Sequence, residues 1–387
     1  MDFDVIVSGA GLTGTATALS LHQQGLRVAL VDTSEAFNAN GRFGFDLRTL
    51  ALSPANLAWL DSLGVVNSLP RYPIERMQVW EHDGSGSVTF DSKSVGLPNL
   101  AVVFEHSPLI DVCRTNCKQE VEMLESTHIV EIDNPKQSVK LNNGLQLSCR
   151  LLCIAEGPNS TTRKIAGATC RKQTLAQSAL VTFARSSDGH QNTAWQKFDE
   201  GILAFLPFED NFVSVIWSLD NSRCKQMMSL RETDFARLLS QVSERVCGEI
   251  VEVDERRSFP LHQSLADTFS PKPWIALIGD AAHTLHPLSG QGVNLGLEDA
   301  RALLQSLKIA DMKSIRSASI TSFAQHRRLK AKMMIRMMSF FLNTWSWERP
   351  TSRWVRNIGV RSFDKLGFLK QQVIREAIGY GPLGGLS

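Results

Sequence analysis

A glycine-rich turn set between an apolar run and an alanine-rich stretch constrains this chain more than any other feature. Residues 9–14 read Gly-Ala-Gly-Leu-Thr-Gly and fit the spacing GxGxxG. Phe3–Val7 before the turn predicts a short buried strand, Leu12–Gln24 after it predicts a helix, and Arg27–Val31 predicts a second strand. Because parallel strands need a crossover connection, this order predicts a β-α-β unit, the smallest module of a parallel sheet.

Each glycine has its own physical role in such a turn. The first makes the tight turn, the second lets the backbone approach a pyrophosphate, and the third lets the helix pack on the strand. Free N–H groups at the positive end of the helix then hold the phosphates, and an acidic residue that ends the second strand can hold a ribose. The alternative is a glycine turn without a ligand. The predicted dinucleotide contacts are Gly9, Ala10, Gly11, Leu12, Gly14 and Asp32.

The same spacing occurs again at residues 379–384, where its context differs. No predicted strand precedes it and Pro382 lies inside it, so we interpret it as part of a flexible tail. The spacing therefore predicts a binding turn only where it joins a strand to a helix.

A second glycine-rich cluster follows another predicted strand. Residues 274–278 are apolar and end in Gly279-Asp280, and the loop after them leads into a helix that starts near Gly292. Backbone donors at that helix start would suit the carbonyls of a flavin, whose reduced ring is anionic. The acidic side chain would accept from a ribityl hydroxyl, unless it only caps a plain strand–loop–helix connection. The predicted contacts here are Gly279, Asp280, Gly290, Gln291, Gly292, Val293 and Asn294.

Between the two clusters, several short runs alternate polar and apolar residues, which is typical of an antiparallel sheet with one covered face. The sequence therefore predicts a mixed α/β fold. A Rossmann-like domain that binds flavin adenine dinucleotide (FAD) is interrupted by a substrate domain and followed by helices. The predicted ranges are 1–72, 95–172 and 262–335 for the FAD-binding domain, 73–94 and 173–261 for the mostly antiparallel substrate domain, and 336–387 for the helical C-terminal segment.

Composition excludes several protein classes. The chain of 387 residues is 43% hydrophobic and 21% charged, which excludes intrinsic disorder. Its 41 basic and 39 acidic side chains leave a net charge of +2, which argues against a nucleic-acid partner. Neither a secretory signal nor a membrane span is expected. Seven cysteines without metal-ligand spacing favour a cytoplasmic protein with no metal site and with buried free thiols at Cys113, Cys117, Cys149 and Cys153.

The even charge balance conceals a biased segment. Residues 326–376 contain 12 Lys and Arg against 3 Asp and Glu, and they leave 29 basic and 36 acidic side chains in the rest of the chain. Met and aromatic residues are interleaved with the basic ones. This mixture suits an amphipathic helix on an anionic membrane surface or in a groove of a biosynthetic protein complex. The alternative is a helix whose apolar side packs on the FAD-binding domain. A membrane contact would place the protein peripherally at the inner face of the membrane.

Three stretches together resemble the class A FAD-dependent aromatic hydroxylases, and within them the ubiquinone-biosynthesis branch. They are the turn Gly9–Gly14 with Asp32, the stretch Asp46–Ser53 and the stretch His286–Asp299. Supporting similarities follow the family's order, so that the resemblance covers almost the whole chain. These are Glu105-His106, Phe205–Phe208, Val215–Trp217 and Phe259–Leu261.

The resemblance implies an enzyme that uses O₂ and either NADH or NADPH to hydroxylate the ring of an apolar, polyprenylated phenol or benzoquinol. The reductant would bind transiently. The antiparallel sheet would cover the substrate, with contacts from Phe205, Pro207 and Trp217. Arg48 would reach the pyrophosphate or ribityl part of FAD, unless it is a surface residue before a helix, and Arg114 is a weaker candidate of the same kind.

Two positions depart from the family's pattern. Glu156-Gly157 stands where relatives have Asp-Gly, a motif that serves both flavin and pyridine nucleotide, so both residues are predicted cofactor contacts with altered hydrogen bonds. His106 stands where relatives commonly have Asn or Gln. No general base stands out: His106 and His286 are candidates for steering substrate ionisation, with a structural role as the alternative, and Pro287 beside them is a further candidate catalytic residue. His283 is predicted to pack in a helix or loop.

Three other functions stay open from the sequence. A relative acting on a small soluble aromatic acid should offer a positively placed Arg or a Ser/Tyr cluster on the sheet, whereas Ala204–Phe208 and Val213–Trp217 look apolar. A flavin-dependent reductase would saturate isoprenoid double bonds without O₂. A non-catalytic, flavin-bound assembly component would carry no chemistry.

Overall fold

The computed structural model describes residues 1–33, 40–81, 87–199, 201–285, 291–307 and 317–345. Their strands are β1 (Phe3–Ser8), β2 (Val28–Asp32), β3 (Thr49–Leu52), β4 (Tyr72–Ile74), β5 (Arg76–Glu81), β6 (Ser87–Asp91), β7 (Ala101–Glu105), β8 (Glu122–Glu125), β9 (Ile129–Asp133), β10 (Ser138–Leu141), β11 (Gln146–Ile154), β12 (Cys170–Ser186), β13 (Thr193–Asp199), β14 (Gly201–Pro207), β15 (Phe212–Asp220), β16 (Ile250–Val253), β17 (Arg257–Ala266), β18 (Ile275–Leu277) and β19 (His283–Thr284). Their α-helices are α1 (Leu12–Gln23), α2 (Pro54–Ser62), α3 (His106–Glu120), α4 (Thr161–Ile165), α5 (Asn221–Ser229), α6 (Glu232–Val242), α7 (Gln291–Ser306) and α8 (Ser317–Trp345).

The first sheet contains the predicted β-α-β unit. β1 pairs in parallel with β2 on one side and with β11 on the other, and β8 and β18 extend the parallel part. β10 and β9 continue the sheet in antiparallel direction. Val5, Ile6 and Val7 of β1 are completely buried, as expected where both faces of a parallel sheet are covered. The mixed α/β fold with a Rossmann-like domain is confirmed.

The second sheet has the order β19-β17-β12-β15-β14-β13-β5-β6, with β16 beside β12. Its strand pairs are antiparallel except β13 with β5. β5 and β6 come from the range 73–94, so this sheet joins the two ranges predicted for the substrate domain. The predicted boundaries at 172 and 261 fall inside β12 and β17, because these two long strands run from one domain towards the other.

Different parts of the chain cover the two faces of this second sheet. On one face, which we call the helix-side face, Leu203 and Val215 pack against Phe235 of α6. On the other, the inner face, Phe183 packs with Val103 of the small sheet β3-β7-β4. Successive side chains of a strand point to opposite faces, so sequence neighbours belong to different clusters.

A buried carboxylate fastens the segment 40–46 to the second sheet. Asp254 accepts hydrogen bonds from the backbone N–H groups of Arg42 (2.6 Å) and Phe43 (3.1 Å). Phe45 then packs on Phe208 of the inner face, with ring centroids 4.9 Å apart and nearly perpendicular planes. This segment therefore connects the Rossmann-like domain to the substrate domain.

α8 packs one side against the Rossmann-like domain. Ile320, Phe323, Ala324 and Ala331 are buried in the same core as β1 and α1. The helix crosses the predicted boundary at 335 and packs one side on that domain, while the choice between this alternative and a membrane or protein partner for residues 326–376 stays open. None of the described helices has the length and apolar composition needed to cross a membrane. Residues 346–387, including the second GxGxxG, lie outside the described residues.

The prediction of buried free thiols is confirmed. Cys113, Cys117, Cys149 and Cys153 are free and buried. Burial raises the pKa of Cys113 and of Cys149 to about 12. These thiols therefore behave as small core side chains.

Candidate functional site

A cleft of about 520 Å³ runs along the carboxyl ends of β1, β2 and β11. In open α/β sheets, ligands bind at this edge. The starts of α1, α3 and α7 also border the cleft, so the structure brings both glycine-rich clusters together. The predicted site residues that line it are Gly9, Gly11, Leu12, Asp32, His106, Glu156, Gly157, Asp280, Gly292 and Val293.

The glycine turn fits a ligand that approaches its backbone. Gly9 has φ of +108°, and a Cβ on Gly14 would lie 1.9 Å from the Gly9 carbonyl oxygen. Both positions therefore require glycine for the fold itself. Gly11 differs, because it has φ of −74° and a Cβ there would meet no atom of the described residues within 4 Å, its chain neighbours aside. The space in front of Gly11 is left open at the N-terminus of α1, where a pyrophosphate would be held.

Asp32 closes the turn from the end of β2. One carboxylate oxygen, Oδ2, accepts a short hydrogen bond from the backbone N–H of Ala10. Arg114 of α3 lies 3.7 Å from the same oxygen and 3.6 Å from Glu125. Asp32 lines the cleft, whereas Arg114 is not among its described lining residues. Arg114 thus supports Asp32, and its own contact with a cofactor stays a prediction.

Asp280 enters the cleft from a tight turn after β18. Gly279 has φ of +60°, and a Cβ on Gly296 of α7 would lie 3.1 Å from the Gly279 Cα, so the turn and the helix are in close contact. Burial raises the pKa of Asp280, and the Asp299 carboxylate adds to this, while His283 opposes it. A buried carboxyl group at this place can exchange hydrogen bonds with a hydroxyl-bearing ligand.

Asn294, the last predicted contact of the second cluster, has a different partner. Its side-chain N–H donates to the Ala51 carbonyl (2.7 Å), and its oxygen accepts from Ser53 N–H (2.8 Å) and from Asn56 (3.0 Å). The side chain therefore joins α7 to the end of β3, and Asn294 is not among the described residues that line the cleft. These bonds give the Asn294 side chain a role between elements, and a contact of Asn294 with the cofactor stays a prediction.

Arg48 lies beside the buried carboxylate of Asp46. Its guanidinium is 3.3 Å from Asp46 Oδ1 and donates to Ser107 Oγ (2.8 Å) at the start of α3. Burial acts to raise the pKa of Asp46, but hydrogen bonds from Ser107 and Arg48 outweigh it and hold this pKa below its ordinary value. The structure thus places Arg48 in an ordered ion pair next to the helix that begins at His106, and its contact with FAD stays a prediction.

His106 lines the cleft as a neutral imidazole. Burial, with help from the charge of Arg48, lowers the pKa of His106 to about 4, although Asp46 opposes the shift. Its Nδ1 atom is buried and has no hydrogen-bond partner among the described residues. We assign the ring proton to Nε2, because an N–H buried without an acceptor is costly.

The departure at Glu156 is accommodated by a group of hydroxyls. Its carboxylate accepts short hydrogen bonds from Ser8 and Thr162, and further ones from Ser160 Oγ (2.7 Å) and Thr162 N–H (3.1 Å). Arg163 of α4 donates to the Ala281 carbonyl (2.8 Å). The segment after β11 is therefore tied both to the end of β1 and to the turn that carries Asp280.

The three predicted substrate contacts lie on the helix-side face. Phe205 and Trp217 pack in the cluster with α5 and α6, and Pro207 pairs with Val213 of the same cluster. Their side chains point away from the FAD-binding domain, which corrects their prediction as contacts beneath the sheet. The sequence shows that successive side chains of a strand point to opposite faces, but it does not show which of the two faces points inward. The half-buried side chains of Ala204, Leu206 and Ile216 lie on the inner face instead.

Some predicted residues cannot be placed. His286, Pro287 and Gly290 lie outside the described residues, and only the helical backbone is described for Gln291. Two buried acids had no place in the prediction of the site: Asp46 and Asp299. Both lie within stretches that carry the family resemblance, and this was the signal for them in the sequence. The position of an acid along the chain does not show which backbone group it binds.

Comparison with known proteins agrees with this geometry. Residues 2–337 match the family described as FAD binding domain. The chain is 29% identical over 389 residues to a 3-demethoxyubiquinol 3-hydroxylase of Escherichia coli, covering 97% of this chain and 98% of that one. It is 29% identical over 357 residues to the mitochondrial ubiquinone biosynthesis monooxygenase COQ6 of Drosophila melanogaster, covering 79% and 74%. The fold is similar to that of p-nitrophenol 4-monooxygenase PnpA from Pseudomonas putida, with a TM-score of 0.77, 19% identity and 98% of both chains covered.

Replacing Gly11 by Val should remove FAD without unfolding the protein. A Cβ at this position meets no atom of the part of the chain that the structure describes, and the valine side chain would extend into the cleft, so we expect the FAD dissociation constant to rise by about tenfold to a hundredfold, the equivalent of about 1–3 kcal/mol of overpacking. Flavin fluorescence titration of the apoprotein measures this. Gly14→Ala is the contrasting variant, since its Cβ collides with the Gly9 backbone and should prevent folding. Undiminished FAD binding by Gly11→Val would show that the pyrophosphate lies elsewhere.

His106 should make the folded protein sensitive to acid. Its pKa of about 4 in the fold lies below the ordinary 6.5, so the unfolded chain binds a proton first as pH falls. The stability from neutral His106 is complete above about pH 6.5 and is lost progressively as pH falls towards 4. Denaturant unfolding of the apoprotein at several pH values should show a shallower loss for His106→Asn. An unchanged slope in the variant would contradict the assignment.

Proposed function

The chain belongs to the FAD-binding domain family, and we propose that it is an FAD-dependent monooxygenase that hydroxylates the ring of a polyprenylated phenol or benzoquinol in ubiquinone biosynthesis. The observation that carries the proposal is the similarity to a ubiquinol-precursor hydroxylase over 97% of this chain, together with a cleft where both glycine-rich clusters converge. NADH or NADPH is the proposed reductant and O₂ the proposed oxygen donor.

In this proposal the protein positions and shields a cofactor. FAD supplies the redox and oxygen chemistry when it is bound. The N-terminus of α1 would hold its pyrophosphate and Asp32 its ribose, while Asp280 and the start of α7 would face the flavin end. His106 would donate from Nε2 into the cleft and stay neutral across physiological pH, because its pKa is about 4.

The inner face of the second sheet favours an apolar substrate. Ile216 pairs with Val181 and Ala204, so one row across the sheet is apolar at its centre. At one end of this row, Ala204 pairs with Gln196. At the other end, Val181 pairs with Arg257, whose guanidinium lies 3.9 Å from the Glu255 carboxylate. A small aromatic acid would need a cation beside the ring, whereas this row offers hydrocarbon there. The polyprenylated ring is therefore preferred to the small soluble acid.

The outer side of α8 supports a membrane partner. Leu329, Met333, Met337 and Phe340 are exposed at intervals of three or four residues, which places them on one stripe of the helix. Lys332 and Arg336 are exposed between them, and the sequence of α8 contains no Asp or Glu. Such a cationic and apolar surface suits anionic lipid, and we propose a peripheral position at the inner face of the membrane, from which a polyprenylated substrate would enter.

The function is tested by product analysis and by two neighbouring residues of β15. The purified protein should contain FAD, oxidise NADH or NADPH in air, and add one oxygen atom to a prenylated phenol.

Ile216→Arg puts a charge on the apolar row and should lower kcat/KM for that substrate by at least about tenfold while FAD is retained. Trp217→Ala is the matched control from the helix-side face. It should lower the free energy of unfolding by about 3–5 kcal/mol with little effect on kcat.

Each contrary result points to a specific alternative. A saturated prenyl chain without O₂ consumption identifies a reductase, and a bound flavin that yields no product indicates an assembly component. If the protein hydroxylates only small aromatic acids, these replace the polyprenylated ring as its substrate class. Absence of any bound flavin would overturn the proposal as a whole.

The membrane proposal is tested with vesicles of phosphatidylglycerol and of phosphatidylcholine. The full chain should cosediment with the anionic vesicles, and added salt should weaken the binding because surface charges are screened. Met333→Gln together with Met337→Gln should reduce cosedimentation severalfold, whereas Ser322→Ala, which leaves all four apolar side chains of the stripe in place, should not. Equal binding of all three proteins, or no binding, would point to a protein groove as the partner.

A further inference from the structure

Asp299 of α7 is a buried acid that joins three separate segments. Its Oδ2 accepts from the Gly279 backbone N–H at 3.1 Å and from His283 Nε2 at 2.6 Å. Its Oδ1 accepts from Arg327 Nε of α8 at 2.6 Å. The side chains of Asp299 and His283 are completely inaccessible to solvent. None of the functional assignments made above uses this carboxylate.

The charge of Asp299 is balanced from α8. Burial acts to raise its pKa, but His283 and Arg327 outweigh burial and hold the pKa of Asp299 below its ordinary value. Arg327 also donates to the Leu295 carbonyl at 3.2 Å and lies 3.4 Å from Glu298. Removing one member of such a buried pair leaves the other charge with less compensation, so this contact contributes to the position of α8 together with the buried apolar residues of that helix.

The two residues that Asp299 holds in the turn stand on either side of Asp280. Gly279 precedes it and His283 follows it, while Asp280 itself lines the cofactor cleft. Gly279 also lies against α1, since a Cβ there would come within 3.2 Å of Thr13 Oγ1. The turn therefore has little freedom to move independently of Asp299.

We propose that Asp299 is a positioning residue for the cofactor: it fixes both sides of Asp280, and its ion pair with Arg327 makes the cofactor turn depend on the seating of α8. The inference rests on the FAD-binding part of the proposed function. It also gives α8 a role beyond its exposed stripe, because a movement of this helix at a membrane would be transmitted to the cleft through one buried contact. The coupling is reciprocal, so bound FAD would also stabilise the seating of α8.

The test compares Asp299→Asn with two arginine variants of α8. Asp299→Asn keeps the shape but loses the charge, and it should weaken FAD binding to the apoprotein by about tenfold or more, as expected for a lost charged hydrogen bond. Arg327→Met should weaken binding in the same direction, and Arg327→Lys should restore much of it. Arg328→Met is the matched control: it removes the same charge from the next residue, which donates to the Ala266 carbonyl and not to Asp299.

Two readouts separate positioning from a merely structural role. Flavin fluorescence gives the FAD dissociation constant, and the visible circular dichroism of bound flavin reports its surroundings. The inference is supported if Asp299→Asn and Arg327→Met change both, while Arg328→Met changes neither. It is overturned if both variants fold and bind FAD with the affinity and spectrum of the unmodified protein, or if Arg328→Met has the same effect.

The remaining outcomes are also decisive. If Asp299→Asn does not fold, Arg327→Met decides alone, and unchanged FAD affinity in that variant overturns the coupling to α8. A loss of thermal stability with unchanged affinity and spectrum would likewise show that Asp299 only stabilises the fold. Because these titrations need no substrate, they stand apart from the proposed reaction: failure of the unmodified protein to bind FAD would refute the proposed function itself.

Discussion

The packing of the first helix start against the ends of two strands is the contact on which the rest of the molecule depends. A Cβ at Gly14 would lie 1.9 Å from the Gly9 carbonyl oxygen, and one at Gly9 would lie 2.5 Å from the Ala155 carbonyl oxygen. The backbones of β1, α1 and β11 can therefore meet only because these side chains are absent. Their meeting brings the free N–H groups of α1 to the sheet edge and leaves the space in front of Gly11 open for a ligand.

Buried carboxylates hold the other segments around this edge, each by accepting from backbone N–H groups. Asp32 accepts from Ala10, and Asp46 accepts from Ser107 at 2.8 Å. Asp254 accepts from the segment 40–46, and Asp299 accepts from Gly279. A buried charge is tolerated only where its hydrogen bonds are complete. The backbone N–H groups supply these hydrogen bonds, and each acid in turn fixes a turn that no regular secondary structure would fix. Buried charged groups whose partners are other protein groups therefore shape the cleft as much as the charged groups that would contact a ligand.

The second sheet and α8 each divide their surfaces between stability and binding. The helix-side face of the sheet is filled by Trp217 and α6, whereas the inner face keeps half-buried apolar residues such as Leu206. α8 likewise buries Arg327 and Ala331 and exposes Met333 and Phe340. In α8 one side stabilises the protein and the other exposes apolar residues, whereas the inner face of the sheet combines a buried cluster around Phe183 with half-buried apolar residues.

The sequence alone determined those features that depend on near neighbours along the chain. The glycine spacing between Phe3–Ser8 and α1, the acid at the end of β2, and the amphipathic, cationic character of residues 317–345 are all local patterns. Only the tertiary structure decided which face of a strand is inward, and this is why Phe205, Pro207 and Trp217 were misplaced. It also decided that Asn294 joins β3 and that Arg327, one of the 12 basic residues of 326–376, is buried against Asp299. The physical reason is that these outcomes depend on strand register and helix packing between residues far apart in sequence, whereas helix period, strand alternation and turn geometry depend on a few adjacent residues.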